Sequence, residues 1–293
     1  MIASILILQA LGNVNCSVQK LAVGATGGII DNTLESIFEE SDLQLAEAAI
    51  MPNLKMLEGL IKSDPGNEKL LLEVVRGYTG YALGWVEDED PARARLLYER
   101  AKDYGIQLLS ENRKMKDALE GPISDFESSL RSVTGESDVP VLFWTANAWA
   151  SFINLSRGDI LAFIEMPRVQ AMMSRVIELD ETFYYGSAHL FFGLIYSTLG
   201  VAGGDFQKAT EHFNRAREIS DDKFLLTKVY YARYYAVGVL NEELFRKTLE
   251  EVLASPADQL PEVRLINEIA KKKARFYLTQ AKEWFSPLPE GYN

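Results

Sequence analysis

The chain has 293 residues, 47% of them hydrophobic and 25% charged, an ordinary globular composition with enough length for one large domain or two small ones. A formal charge of -12 excludes a nucleic-acid partner, because neutralising phosphates needs clustered Lys and Arg. One cysteine and two histidines allow no intrachain disulfide and argue against a structural zinc site, so no metal and no cofactor is expected.

The first sixteen residues stand apart. Ile2 to Leu11, IASILILQAL, is an uncharged run too short to span a bilayer and of the right length for a signal-peptide core. Cys16 follows closely, where bacterial lipoproteins carry the cysteine that becomes lipid-modified. Asn15 stands where Gly, Ala or Ser is usual, and no Lys or Arg precedes the run. The expectation is a signal peptide and lipobox over 1-16, lipidation at Cys16 and a periplasmic, lipid-anchored protein; the alternative is a buried N-terminal helix with a chance cysteine. The glycine-rich GATGGII, Gly24 to Ile30, follows no strand pattern and lacks dinucleotide-binding spacing, so it reads as a link to the first helix or a close-packing segment.

Next, NLKMLEGLIKSDPGN predicts a helix ending at Asp64-Pro65. From Tyr78 the chain shows Tyr78, Tyr81, Ala82 and Trp85, then Ala94, Tyr98 and Ala101. These are the offsets of a tetratricopeptide helix pair, with a small-large-small stripe on the second helix. Between them EDEDP supplies Asp90 as an N-cap and Pro91 as a first helical residue. GPISDFESSLRSVTGESD predicts an inserted short helix and loop. A further copy runs Ala146, Trp149, Ala150, Ile153, then Val169, Met173, Val176, across the long turn SRGDILAFIEMP. Another has His189, Phe192, Gly193 and Tyr196, then Ala209, Phe213 and Ala216. A degenerate copy has Tyr231, Ala232 and Tyr235 before NEELFRKTLEEVLASP. The predicted fold is all-α, a tetratricopeptide-like helical repeat (α-α superhelix) with divergent repeats, forming one domain over 17-286 with a tail at 287-293.

Two stretches carry no charge: Val139 to Ser156 and Thr182 to Gly204. The second has membrane-spanning length, but it sits in repeat register and holds interior glycines and polar residues, so it reads as a central helix covered on several sides. Aromatic side chains beside neutral hydrogen-bonding groups suit a pocket for an apolar or neutral organic ligand. The cavity candidates are Trp144, Asn147, Trp149, Ser151, Tyr184, Tyr185, His189, Phe192 and Tyr196. The competing reading is a large core, with His189 a hydrogen-bonded core histidine. Tyr230, Tyr231, Tyr234 and Tyr235 form a second aromatic run, read as an interface or a covered helix face. KKKARFYLTQAKEWF, Lys271 to Phe285, is the basic helix of an acidic chain.

No catalytic signature is present: no Ser-His-Asp arrangement, HExxH or P-loop, and the paired carboxylates Glu39-Glu40 and Asp221-Asp222 sit at turns and helix ends. No enzyme is expected.

The leader with Cys16, the helix pairs, and the stretches VLFWTANAWASFINL and YYGSAHLFFGLIYSTLG resemble the T component of TRAP transporters over essentially the whole mature chain. That resemblance implies a periplasmic lipoprotein, a homotrimer, partnership with the TRAP substrate-binding protein, and a cavity for a hydrophobic or organic-acid small molecule. It supplies no binding motif residue by residue. The alternative function is a lipid-anchored scaffold for envelope protein-protein interactions without a small-molecule site.

Overall fold

The computed structural model describes residues 27-156, 158-198 and 205-286. The leader with Cys16, the stretch 199-204 and the tail 287-293 lie outside them. Among the described residues there is no strand, and the predicted all-α class holds. None of the helices described is long and apolar enough to cross a membrane.

The chain divides into two compact units. The first takes the chain up to Ile37, Gln44–Ser129 and Trp144–Arg168. It contains α1 (Gly27–Phe38), α2 (Leu43–Ser63), α3 (Glu68–Tyr81, widening into a π turn at Ala82–Val86), α4 (Pro91–Ser110), α5 (Arg113–Leu119), α6 (Ile123–Arg131), most of α7 (Val139–Leu155) and the short α8 (Ile160–Phe163). Helix starts follow from side chains that replace the missing backbone partners. Asn67 accepts from Leu70 N at 3.2 Å to open α3, and Asp90 accepts from Arg93 N at 3.0 Å to open α4. Pro91 follows as first residue of α4, as its fixed φ and absent N–H allow.

The predicted stripes face inward. Tyr78, Tyr81, Ala82 and Trp85 of α3 and its π turn are buried, as are Ala94, Tyr98 and Ala101 of α4. The alanines let α4 approach α3 and Tyr98 fills the groove between them. The Tyr98 hydroxyl donates to Glu87 Oε2 at 2.5 Å. Helix α2 starts at Leu43, well before the predicted Asn53, and carries Pro52 inside. There the Asn53 side chain donates to Ala49 O at 2.8 Å, in the turn that the proline disturbs. Glu58 of α2 accepts from the hydroxyls of Tyr78 at 2.8 Å and Tyr104 at 3.3 Å, tying α2 to α3 and α4. Gly105 is where α4 meets α7: a Cβ there would sit 2.7 Å from Thr145 Oγ1. The inserted helix predicted between the first copies is α6.

The second unit takes Phe38–Leu43, Leu130–Phe143 and the chain from Val169. It holds most of α9 (Met166–Asp180), then α10 (Phe183–Thr198), α11 (Phe206–Ile219), α12 (Leu225–Tyr230, widening into a π turn at Tyr231–Ala236), α13 (Glu242–Ala254) and α14 (Arg264–Phe285). Helices α10 and α11 pack along their length through Leu190, Ala209, Phe213 and Ala216, with Tyr196, Tyr230, Tyr231 and Tyr235 laid against that core. Gly193 admits the Phe213 ring, since a Cβ would stand 2.9 Å from its Cδ2. The tyrosine run is thus a covered face: Tyr231 meets Phe213 edge-on at 5.3 Å and stacks on Tyr235 at 4.8 Å. The loose last copy has a simple cause. Its α13 stripe is Phe245, Leu249 and Val252, with the 4 and 3 spacing kept but large residues in place of small ones.

One local feature departs from the repeat pattern. Tyr184, Tyr185 and Gly186 have φ of 45°, 59° and 72°, a short left-handed turn at the start of α10. Asp221 and Asp222, beyond α11, are also left-handed, at 50° and 58°. Each non-glycine residue there costs about 1-2 kcal/mol. The aromatic packing offsets it: the Tyr185 ring stacks on buried Phe224 at 5.1 Å, and Tyr184 meets Phe224 at 5.6 Å and Phe143 at 5.7 Å. Asp222 is held by Arg217 through bonds of 2.7 and 2.9 Å. A buried amide closes the unit: Asn267 accepts from Leu225 N at 3.0 Å and donates to Lys223 O and Ala257 O, both at 3.1 Å.

Candidate functional site

The nine cavity candidates divide between the units. Trp144, Asn147, Trp149 and Ser151 lie on α7 in the first; Tyr184, Tyr185, His189, Phe192 and Tyr196 lie on α10 in the second.

On α7, Trp144 and Trp149 are buried, and Asn147 and Ser151 half-buried. The uncharged helix is bordered by cations from its neighbours. The Arg76 guanidinium of α3 lies 5.6 Å from the Trp144 ring centre, held by Glu73 at 2.8 Å. Arg95 and Lys102 of α4 lie 5.2 and 4.5 Å from the Phe152 ring centre. Aromatic faces attract such cations electrostatically, more so when both are partly desolvated. Ser151 hydrogen-bonds to the Tyr98 phenol, whose burial pushes its pKa well up. Thr145 Oγ1 is fully buried and meets no hydrogen-bond partner among the described residues.

On α10 the candidates form two clusters. Tyr184 and Tyr185 belong to the left-handed turn around Phe224. The Tyr185 hydroxyl donates to Glu262 Oε1 at 2.5 Å, and burial, then that carboxylate, hold the phenol above its usual range. His189, Phe192 and Tyr196 gather around His212 of α11, which sequence reasoning did not single out. Phe192 and Tyr196 stack on the His212 ring at 5.2 and 5.6 Å. The two histidines meet Nδ1 to Nδ1 at 2.9 Å, and His189 Nε2 lies 3.2 Å from Glu181 Oε2. A carboxylate only accepts, so Nε2 of His189 carries hydrogen, and in the neutral pair its Nδ1 accepts from His212 Nδ1–H. Arg215 completes the cluster by pairing with both Glu181 oxygens. The spacing of His212 and Arg215, three apart on α11, was visible in the sequence. That they face α10 was not, because it depends on how the two helices pair.

The electrostatics set a direction for acid. The hydrogen bond from Arg215 holds the Glu181 carboxyl down to about 2. Burial lowers His189 below its ordinary 6.5, against an opposing pull from Glu181. Burial lowers His212 too, helped by His189, while Glu211 opposes. Both histidines therefore take up protons more readily unfolded than folded. Stability falls as pH drops below about 6.5, and falls again below about 4.5 as the unfolded Glu181 protonates first. Urea midpoints at pH of about 7.5, 5.5 and 3.5 check this; in a His189→Gln/His212→Gln variant the upper step disappears and the lower one stays.

Among the described residues no hydroxyl or thiol hydrogen-bonds to either histidine, and no cluster of His, Cys, Asp or Glu suits a metal ion. The TRAP transporter T-component family matches residues 39–285, and the chain belongs to that family: it is an accessory component of TRAP-type transport. A protein of Treponema pallidum (strain Nichols) is similar as well, 26% identical over 268 residues covering 84% of this chain and 81% of that protein.

Proposed function

We propose that this T component is a periplasmic, lipid-anchored protein that binds or channels a hydrophobic or organic-acid ligand and docks the TRAP substrate-binding protein, as a homotrimer. The observation that carries this reading is the family match over 39–285. The α7 surroundings support the ligand class: its aromatic side chains offer apolar contact, and Arg76, Arg95 and Lys102, each also paired with a carboxylate of the chain (Glu73, Glu99 and Asp103), border it with positive charge. Thr145 Oγ1 adds a buried polar atom that a ligand or water can satisfy. Apolar burial drives capture at about 25 cal/mol per Å².

Sedimentation of residues 17-293, alone and mixed with a TRAP substrate-binding protein from the same organism, tests the reading. A trimer that gains the mass of the binding protein supports it. A monomer that ignores the binding protein overturns it and leaves the envelope scaffold. Trp144→Phe keeps a buried ring but removes the indole facing Arg76. It is expected to weaken capture about tenfold, alongside a loss of about 1-2 kcal/mol in stability from the smaller ring at a buried site. A loss of stability with unchanged capture would make Trp144 a packing residue only.

A further inference from the structure

The long turn after α7 holds an apolar surface that no repeat function uses. Ile160, Leu161, Phe163 and Ile164 are exposed by 74%, 70%, 59% and 56%. The first three stand on a single helical turn, α8, and Ile164 follows it directly, between Gly158 and Glu165. We propose that this turn dips into a lipid bilayer surface and gives the protein a second membrane attachment.

Four observations point to lipid. Four amides of the turn are satisfied within it. Asp159 Oδ1 accepts from Leu161 N at 3.0 Å and Ala162 N at 3.3 Å. Phe163 N and Ile164 N bond to Asp159 O at 3.2 Å and Ile160 O at 3.1 Å. Hydrocarbon demands such internal satisfaction, whereas a protein partner can supply the missing groups itself. Among the described residues, the charges beside the turn are engaged: Asp159 caps it, and Glu165 pairs with Arg168 at 3.1 Å. Arg168 in turn donates to Gly121 O at 2.6 Å, fastening the base of the turn to the unit. The patch is also small. Side chains of this size expose on the order of 500 Å² together, below the roughly 800 Å² that each partner gives a stable protein interface. Finally, the chain outside the described residues reaches this same unit. Residues 17-26 lead from Cys16 to Gly27 and span at most about 35 Å, so a lipid on Cys16 holds the unit close to the membrane. The placing rests on the anchored reading of Cys16, and the test separates the two.

The full chain carries a single cysteine, so a Cys16→Ser/Phe163→Cys variant takes one environment-sensitive fluorophore. It is titrated with phosphatidylcholine vesicles with and without phosphatidylglycerol, and with spin-labelled phosphatidylcholine as quencher. The reference is the same label at exposed Lys62 (Lys62→Cys). The expected result is quenching several-fold stronger at 163 than at 62. Adding Ile160→Ser, Leu161→Ser and Ile164→Ser lowers the vesicle-bound fraction at least about tenfold. These side chains are exposed, so the fold survives. A label at 163 as wet as the label at 62 on vesicle-bound protein overturns the proposal. So does shielding of 163 that needs no vesicles and grows with protein concentration, which would make a second copy the occupant. Mass spectrometry of the wild-type Cys16 tests the anchor separately.

Discussion

Replacing Phe213 by alanine is expected to cost about 3-5 kcal/mol, among the larger losses a single substitution can cause here. The ring is fully buried, lies against the face that Gly193 leaves bare, and meets Tyr231 edge-on at 5.3 Å. Ala209 and Ala216, one turn to either side, are too small to close the space, and the backbone of α10 cannot collapse onto it without moving the His189–His212 pair. Urea unfolding followed by tyrosine and tryptophan fluorescence measures the loss. A change under about 1 kcal/mol would mean that the α10–α11 stripe does not form the core of its unit. The effect reaches the candidate site as well, because Phe192 and Tyr196 hold His212 from the same helix that Phe213 packs against.

Asn267→Leu is the second large expected loss, about 3 kcal/mol or more, from a different cause. The leucine is close in volume and suits a buried position, so packing changes little. What is lost is the partner of Leu225 N–H, Lys223 C=O and Ala257 C=O, three backbone groups at distances of 3.0 to 3.1 Å. Leaving a buried backbone group unpaired costs about 1-3 kcal/mol each. Hydrogen exchange at the Leu225 amide gives the specific readout: protection there falls with the global stability and beyond it, because that donor has lost its acceptor. Unchanged protection at Leu225 would show that water or a shifted side chain replaces the amide.

The repeat stripes were legible because they depend on the helical period alone. Positions 3 and 4 apart share a face whatever the surroundings, so Ala94, Tyr98 and Ala101, and then Ala209, Phe213 and Ala216, could be assigned to the core from spacing. The caps were legible for a similar reason, since Asp90 with Pro91 acts on neighbours within one turn. The uncharged character of α7 and α10 could likewise be read directly, and with the repeats it carried the resemblance to the T component that the family match bears out.

Other features needed the fold. The left-handed turn at Tyr184 and Tyr185 violates the local preference of both residues, and tertiary contacts with Phe224, Phe143 and Glu262 hold it. Glu181, His189, His212 and Arg215 meet because α10 and α11 pair in one register. Pairing is a property of two surfaces together, which no single-helix pattern encodes. The Ile160–Ile164 run reads in sequence as part of a long turn between helices; the structure winds most of it into α8 and leaves four of its apolar side chains exposed. Their apolar character could be read from the sequence; that they face outward depends on how the unit packs around them, which no local pattern encodes.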